Sequence, residues 1–193
     1  MDTIKKLFKN PISLLGIFLI LLNLALAVFA PLIVPPEDPD EPYQIPRDGF
    51  SAVPKPPSTE HPLGTTEGQY DILYGIIWGT RTAFKVGLTV VIVSAAVGII
   101  IGTIAGYAGG ILDEILMRIT DTFLGFPYLI AAMVITVVLG KGLDKVIIAL
   151  IAFGWMKYAR VIRSEVLSVR ENYYIEAVKG LGGGNLRIIF RHI

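Results

Sequence analysis

LLGIFLILLNLALAVFAPLIV, residues 14–34, is a stretch of 21 residues without a formal charge. As an α-helix it would be about 31 Å long, which matches the roughly 30 Å hydrocarbon core of a bilayer. A cleaved signal peptide is the rival interpretation, because lysines precede the stretch and Ala25-Leu26-Ala27 resembles a small-residue cleavage site. The apolar run continues beyond that site to Val34, so we predict a first transmembrane helix.

The composition of the whole chain is that of a membrane protein. Hydrophobic residues make up 53% of the 193 residues, charged residues only 17%, and the mean hydropathy is +0.65. Soluble domains carry about 25% charged residues. The chain has no cysteine, which excludes disulfides, thiolate metal sites and cysteine nucleophiles.

The basic residues are concentrated near the two ends of the chain. Lys5, Lys6 and Lys9 precede the first apolar stretch, and seven of the 17 lysines and arginines follow Met156. By the positive-inside rule, both ends should lie on the cytoplasmic side. We therefore predict a cytoplasmic N-terminus at residues 1–13 in a multi-pass membrane protein.

Residues 35–82 differ in kind, since ten of the twelve prolines fall between Pro31 and Pro62. No helix can continue through that density of proline, so we predict an extended extracytoplasmic loop. It would act as a spacer or contact a soluble partner. Residues 71–82 predict a short helix in the membrane interface, where Tyr74 and Trp78 would suit the headgroup depth.

Residues 83–157 predict three further crossings, at about 84–107, 123–139 and 146–156, with a polar connection at 109–121 and Pro127 in the first turn of the third. Gly98, Gly102 and Gly106 recur every four residues, so they form a stripe that lets another helix approach closely. Uncharged polar residues within these spans predict hydrogen bonds between helices rather than substrate ligands; they are Asn23, Thr89, Ser94, Thr103 and Thr136.

Residues 158–193 predict a cytoplasmic segment outside the spans. Apolar and basic residues of 158–171 fall on opposite faces of one amphipathic helix. Three consecutive glycines, 182–184, must break the following helix, and Asn185 is a good N-cap for another. The expected result is a helix–turn–helix.

Motifs in this segment and before it resemble the EAA-containing permease subunits of ABC importers for dipeptides, oligopeptides and nickel. Glu176-Ala177-Val178 followed by Gly182 is similar to the EAA motif of that family. The other matching motifs, in chain order, are His61-Pro62-Leu63-Gly64-Thr65, Ala105-Gly106-Tyr107, Gly109-Gly110, Asp113-Glu114, Met117-Arg118, Asp121, Phe126-Pro127, Gly154-Trp155, Tyr158-Ala159-Arg160 and RIIFRHI at 187–193. The chain departs from the family's pattern at residues 67–70 and at Gly183 and Gly184.

The resemblance implies a type I, MetI-like helical bundle in which about four of an expected six crossings are present, the family continuing past Ile193. It also implies a subunit that pairs with a homologous permease, cytoplasmic ABC ATPases and an extracytoplasmic substrate-binding protein. ATP would be bound and hydrolysed by the partner, so this chain would be no enzyme and need no cofactor. Peptides are the favoured substrate, with nickel and oligosaccharides left open.

In that family the helix–turn–helix docks in a groove of the ATPase and transmits its closure to the membrane. The resemblance assigns this coupling role to residues that offer a charge, a close backbone approach or an apolar side chain; they are Glu176, Ala177, Gly182, Leu186, Ile189 and Phe190. The alternative for this segment is a helix pair lying on lipid headgroups, attracted by its arginines.

Other classes of function lack support in the sequence. No Gly-x-Ser-x-Gly, His-Glu-x-x-His or Walker-type phosphate loop occurs, and the predicted topology separates His61 from His192. No catalytic or metal-binding set is therefore expected, and nothing indicates a nucleic-acid partner. A passive channel or a membrane anchor for the acidic loop remains the alternative from a different class.

Overall fold

The computed structural model describes residues 10–193, so the basic segment with Lys5, Lys6 and Lys9 lies outside the described residues. Within 10–193 the chain is helical, with strand pairing limited to two isolated bridges. The helices are α1 Pro11–Ile33, α2 Ile72–Ala108, α3 Gly110–Leu124, α4 Tyr128–Leu139, α5 Leu143–Arg170, α6 Tyr173–Gly180 and α7 Asn185–His192. The predicted all-α membrane class is confirmed. Two compact units, divided at Gly87 within α2, are described separately below.

In the first unit, α1 is the predicted first span. Its 23 residues begin after Asn10, whose side-chain oxygen accepts a hydrogen bond from the backbone N–H of Ile12 at 3.0 Å. The helix has the length and composition to cross a membrane, and only 6% of its most apolar window is buried. Most of its apolar side chains therefore face outward, as lipid contact requires.

The aromatic residues after the loop belong to the core of the first unit. Tyr74 and Trp78 are 3% and 4% exposed and pack with Ala30 and Ile77. Their polar tips are paired, because the Tyr74 hydroxyl donates to the carbonyl of Pro42 at 2.7 Å and the Trp78 indole N–H donates to that of Val34 at 3.0 Å. Their position at the membrane interface stays a prediction.

The predicted interfacial helix and second span form one helix, α2, of 37 residues. No proline falls between residues 71 and 107 to interrupt it, and Asp71 accepts a hydrogen bond from the backbone N–H of Tyr74 at 2.7 Å at its start. At about 55 Å the helix exceeds the hydrocarbon core by far. The separate interfacial helix is therefore wrong.

The proline-rich loop folds back on itself around Gln69, which is fully buried. The Gln69 side-chain amide donates to the carbonyl of Val53 at 2.6 Å, and the backbone N–H of Lys55 donates to the Thr65 hydroxyl at 2.9 Å. Gln69 also takes a positive φ of 66°, uncommon outside glycine. The predicted extended loop is thus internally braced near residues 51–71.

A charged cluster joins this loop to the start of α2. His61 Nδ1 lies 2.7 Å from a carboxylate oxygen of Asp71, and His61 Nε2 lies 3.6 Å from Asp48, which also pairs with Lys55. Hydrogen bonding to Asp71, assisted by Asp48, raises the pKa of His61 above the ordinary 6.5. Protonated His61 therefore bridges two carboxylates.

We expect the stability of this loop to fall as the pH rises. The pKa of His61 is higher in the folded loop than in the unfolded chain, so its contribution is complete below about pH 6.5 and is lost as the pH rises through the folded-state pKa. Limited proteolysis of residues 35–71 should become faster over that interval. His61→Gln should remove the pH dependence, and an unchanged profile in that variant would contradict this assignment.

In the second unit, a sharp break replaces the predicted polar connection and third span. Residues 110–124 form helix α3, and α4 leaves it at 83° after Gly125-Phe126-Pro127. Pro127 has no N–H and disfavours helical backbone at the residue before it, which explains the break. The 12 residues of α4 span about 18 Å, so the stretch from 123 to 139 is not one straight helix, and the third crossing stays a prediction.

Helix α5 joins the predicted fourth span to the predicted amphipathic helix in one run of 28 residues. By length and composition, two helices within residues 10–193 can cross a membrane, α1 and α2, or three if α3 and α4 form one broken span. Helix α5 is not among them because Lys157, Arg160 and Arg163 interrupt its apolar run. The fourth crossing, and with it the topology, stays a prediction.

Two of the uncharged polar residues of the spans bond locally instead of bridging helices. Asn23 donates to the carbonyl of Leu19 at 2.8 Å and Thr136 to that of Ala132 at 2.8 Å, each within its own helix. Such bonds to the carbonyl four residues earlier satisfy the side chain without a neighbour. Ser94 is different, since its buried hydroxyl has no partner within the described residues.

Candidate functional site

The three glycines of α2 lie against the backbone of α5. A Cβ added at Gly102 would come within 2.5 Å of the carbonyl oxygen of Ala159, and one at Gly106 within 2.9 Å of that of Arg163. One at Gly98 would come within 2.7 Å of the carbonyl oxygen of Trp155. The stripe therefore brings the two helices into backbone contact, where α2 could not carry a larger residue at these three positions.

Two ion pairs join α3 to α5 beside this contact. Arg163 donates from Nε and Nη2 to the two carboxylate oxygens of Asp113, at 2.5 and 2.6 Å. The Asp113 side chain is only 13% exposed. Arg160 pairs with Asp121 one turn away. A bidentate pair between Arg and a carboxylate fixes geometry as well as charge, so α3 is held in register on α5.

A junction forms where α2 ends. Arg170, the last residue of α5, donates from one Nη to the carbonyls of Gly106 and Tyr107, both at 3.1 Å. The Tyr107 hydroxyl donates to the side-chain oxygen of Asn185 at 2.9 Å, and the ammonium of Lys179 lies 5.7 Å from the centre of the Tyr107 ring. Tyr107 thereby links α2 to α5, α6 and α7.

Helices α6 and α7 pack against each other around two fully buried isoleucines, Ile175 and Ile188. The Tyr174 hydroxyl donates to the carbonyl of His192 at 3.2 Å across the pair. Gly182 turns the chain between them with φ at +81°, a conformation that glycine adopts without strain. The predicted helix–turn–helix is present.

The predicted cap of α7 is displaced by one residue. Gly184 occupies the N-cap position, and Asn185 is the first residue of the helix. The Asn185 side chain is directed to Tyr107 and makes no cap hydrogen bond. A tertiary hydrogen bond has replaced the local one, which the sequence pattern could not indicate.

The predicted coupling residues lie on α6, on the turn at Gly182 and on α7. Glu176, Ala177 and Gly182 are exposed, as are Leu186 at 72% and Phe190 at 86%, while Ile189 is half-buried. No Lys or Arg nitrogen within residues 10–193 lies within 4 Å of Glu176. Glu176 is thus left without a basic partner in this part of the chain, and Leu186, Ile189 and Phe190 line a groove whose other walls are α2 and α5.

Sequence reasoning missed the residues that join α3 to α5 and α2 to α7. The sequence motifs include Asp113, Asp121, Tyr107 and Arg160, but they do not predict which residues these pair with. A signal exists for the ion pairs, since the two aspartates are eight residues apart and Arg160 and Arg163 three apart, so each set repeats on one helix face. Within residues 10–193, no group of three or more His, Asp and Glu could hold a metal ion.

These features define a helical membrane protein that presents a braced helix–turn–helix at one end. Two family models match it: residues 98–193 match the inner membrane component of binding-protein-dependent transport systems, and residues 1–57 match the N-terminal transmembrane domain of oligopeptide transport permease C. The chain belongs to this family of transport permeases, and the MetI-like fold expected from its motifs is confirmed.

Curated relatives agree over the whole chain. It is 32% identical over 192 residues to both the dipeptide transport system permease protein DppC and the oligopeptide transport system permease protein OppC of Bacillus subtilis, which covers 100% of this chain and 58% and 61% of theirs. The glutathione transport system permease protein GsiD of Pectobacterium atrosepticum is 32% identical over 92% of this chain and 57% of its own. The chain spans about three fifths of the length of these relatives.

Proposed function

We propose that this chain is a permease subunit of an ATP-driven peptide importer, and that α6, the turn at Gly182 and α7 receive the movement of a cytoplasmic ATPase. One observation supports this most directly. The exposed face of α6 and α7 is braced from behind by Ile175 and Ile188 and tied to α2 through Tyr107 and Asn185.

The chemistry of the face suits a protein groove. Leu186 and Phe190 offer apolar area on successive turns of α7, which is the pattern of a helix that lays one side into a groove. Glu176 adds one unpaired charge for a basic residue of the partner. ATP hydrolysis is assigned to that partner, and the remaining proposed partners are a homologous permease and an extracytoplasmic substrate-binding protein.

The contacts behind the face supply a route into the membrane. A movement of α7 acts on Asn185 and then on the Tyr107 hydroxyl at the end of α2. Arg170, which donates to the carbonyl of Tyr107, connects this junction to α5. Close backbone packing along the glycine stripe makes α2 and α5 move together. This route has the form of a lever that switches access to a pathway.

The proposed substrates are peptides, because the relatives are named as permeases for dipeptides, oligopeptides and glutathione. Nickel and oligosaccharides are the weaker candidates within the resemblance. The proposed location is a prokaryotic inner membrane with the N-terminus and the α6–α7 unit in the cytoplasm, in agreement with the basic residues at both ends.

Co-purification of the ATPase subunits with the complete permease tests this function. Glu176→Lys reverses the exposed charge, and Gly182→Val forces a branched side chain into a positive φ, so both variants should lose most of the ATPase retained by the wild type. Glu171→Lys is the matched control, since Glu171 is an exposed glutamate outside the docking face at the end of α5.

Tyr107→Phe separates docking from transmission. It removes the hydrogen bond to Asn185 and leaves the docking face untouched, so the ATPase should stay bound while peptide uptake per ATP hydrolysed falls about fivefold. Retention of the ATPase by Glu176→Lys and Gly182→Val together would contradict the docking role. Binding of both variants and wild type to anionic vesicles instead, with no ATPase retained, would favour a headgroup-bound helix pair.

A further inference from the structure

A cavity of about 560 Å³ opens between α2, α4 and α5 in the second unit. Its size lies within the range typical of small-molecule sites, about 300–1,000 Å³. Its wall is mainly apolar, as with Phe153 and Val161, and carries a few polar groups; these are the hydroxyls of Ser94, Tyr128 and Tyr158 and the ammonium of Lys157. A mostly apolar cavity with few convergent polar groups is the usual form of a ligand site.

Lys157 differs from the other cations of α5. Lys145, Arg160 and Arg163 each pair with an aspartate, and Arg170 is bonded to backbone carbonyls. Within residues 10–193 the Lys157 ammonium has no carboxylate within 4 Å, and it lines the cavity. Lys157 is exposed, so its charge is available to a ligand at the open side of the cavity.

Ser94 adds a second unsatisfied group to the same wall. It is 1% exposed, and its hydroxyl has no hydrogen-bond partner within the described residues. The glycine at 154 makes room for it, since a Cβ there would lie 2.5 Å from the Ser94 oxygen. A buried hydroxyl without a partner costs free energy, and a ligand atom can bond the Ser94 oxygen once the side chain rotates toward the cavity.

Tyr128 completes the polar set on the α4 side. Its hydroxyl donates to the carbonyl of Leu150 at 3.3 Å, which leaves both oxygen lone pairs free. That oxygen can accept a hydrogen bond from a peptide N–H. The cavity therefore offers one cation, one free hydroxyl and one acceptor around an apolar wall.

We propose that this cavity is a binding site for the terminal carboxylate of a peptide, held by Lys157, with Ser94 donating to the same group and the apolar wall receiving a side chain. The proposal rests on the proposed peptide importer and names a site within it. A compact ammonium matches a single carboxylate, and the volume accommodates a short peptide rather than a folded partner.

The absence of cysteine from the chain permits a direct test in the complete importer reconstituted in nanodiscs. Val161→Cys places a single thiol on the cavity wall, and Val137→Cys, on α4 outside the cavity and 82% exposed in the wild type, is the matched control. The measurement is the rate at which a maleimide labels this chain. The probes are leucyl-leucine and its C-terminal amide, which lacks the negative charge.

Leucyl-leucine should slow labelling of V161C and leave V137C unaffected. The amide should protect about tenfold less well, and so should leucyl-leucine when V161C is combined with Lys157→Gln, because each change removes one charge of the pair. Lys157→Arg should restore part of the protection. Ser94→Ala should weaken protection less than Lys157→Gln does.

Equal protection by the acid and the amide, protection that survives Lys157→Gln, or no protection by either probe would each overturn the site. Labelling that depends on phosphatidylglycerol and on Lys157, with no effect of the dipeptide, would assign the lysine to a lipid phosphate instead. The proposed function is judged separately, by retention of the ATPase in the same samples. A wild-type complex that keeps its ATPase but shows no protection therefore refutes only the carboxylate site.

Discussion

Gly102→Leu should prevent α2 and α5 from packing and should give the largest loss of stability of any single change considered. The new Cβ would lie 2.5 Å from the carbonyl oxygen of Ala159 and 2.9 Å from the Cβ of Ile162, and neither can move away without shifting α5. Overpacking typically costs about 1–3 kcal/mol, and a backbone carbonyl in the way places this change at the upper end of that range. Thermal unfolding of the detergent-solubilised protein, followed by loss of the monodisperse peak, measures it.

Gly87→Leu is the matched control for that experiment. Gly87 lies in the same helix, and nothing stands within 4 Å of the position where its Cβ would be. Replacing a helix-interior glycine in open surroundings should leave stability unchanged or raise it by about 0.5–1 kcal/mol. Equal losses at the two positions would mean that close approach of α5 is not what Gly102 provides.

Arg163→Ala should cost the second-largest amount, about 2 kcal/mol, because it leaves the carboxylate of Asp113 largely buried without its partner. The cost is below that of a fully buried pair, since the Arg163 side chain is 32% exposed and partly screened by solvent. The reversed pair, Asp113→Arg with Arg163→Asp, should recover part of the loss. A double-mutant cycle on thermal unfolding gives the coupling directly.

Arg118→Ala is the control for the pair. Arg118 and Glu114 also form an ion pair between an arginine and a carboxylate on α3, but their side chains are 77% and 60% exposed. A solvent-exposed pair four residues apart contributes about 0.3–0.5 kcal/mol. A coupling for Asp113 and Arg163 no larger than this would show that this ion pair does not hold α3 on α5.

Local sequence was sufficient where one element decides its own structure. The uncharged run at residues 14–34 predicted α1, and the density of proline predicted a loop without helix after it. The glycines at 182–184 predicted the break between α6 and α7. In each case the physical cause is within a few residues of its effect: hydrophobic length, missing backbone donors or φ freedom.

Predictions failed where a neighbour in space overrode the local pattern. The aromatic side chains of Tyr74 and Trp78 did not predict their burial. Both pack against Ala30, and the Tyr74 hydroxyl donates a hydrogen bond to a loop carbonyl. Asn185 is a residue type that favours the N-cap position, but its side chain accepts a hydrogen bond from Tyr107 instead. The boundaries of α2 and α5 were missed because a continuous helix does not require a continuous apolar run.

The sequence alone determined the class of this protein, its first span, the helix–turn–helix and the family that its motifs indicate. Tertiary structure alone decided which groups meet: Arg163 with Asp113, Tyr107 with Asn185 across 78 residues, and Lys157 with Ser94 around one cavity. Composition and periodicity act along the chain, so they specify helices and turns. Pairing of side chains depends on how those helices cross. The glycine stripe sets the crossing of α2 and α5, but it does not specify which side chains come into contact.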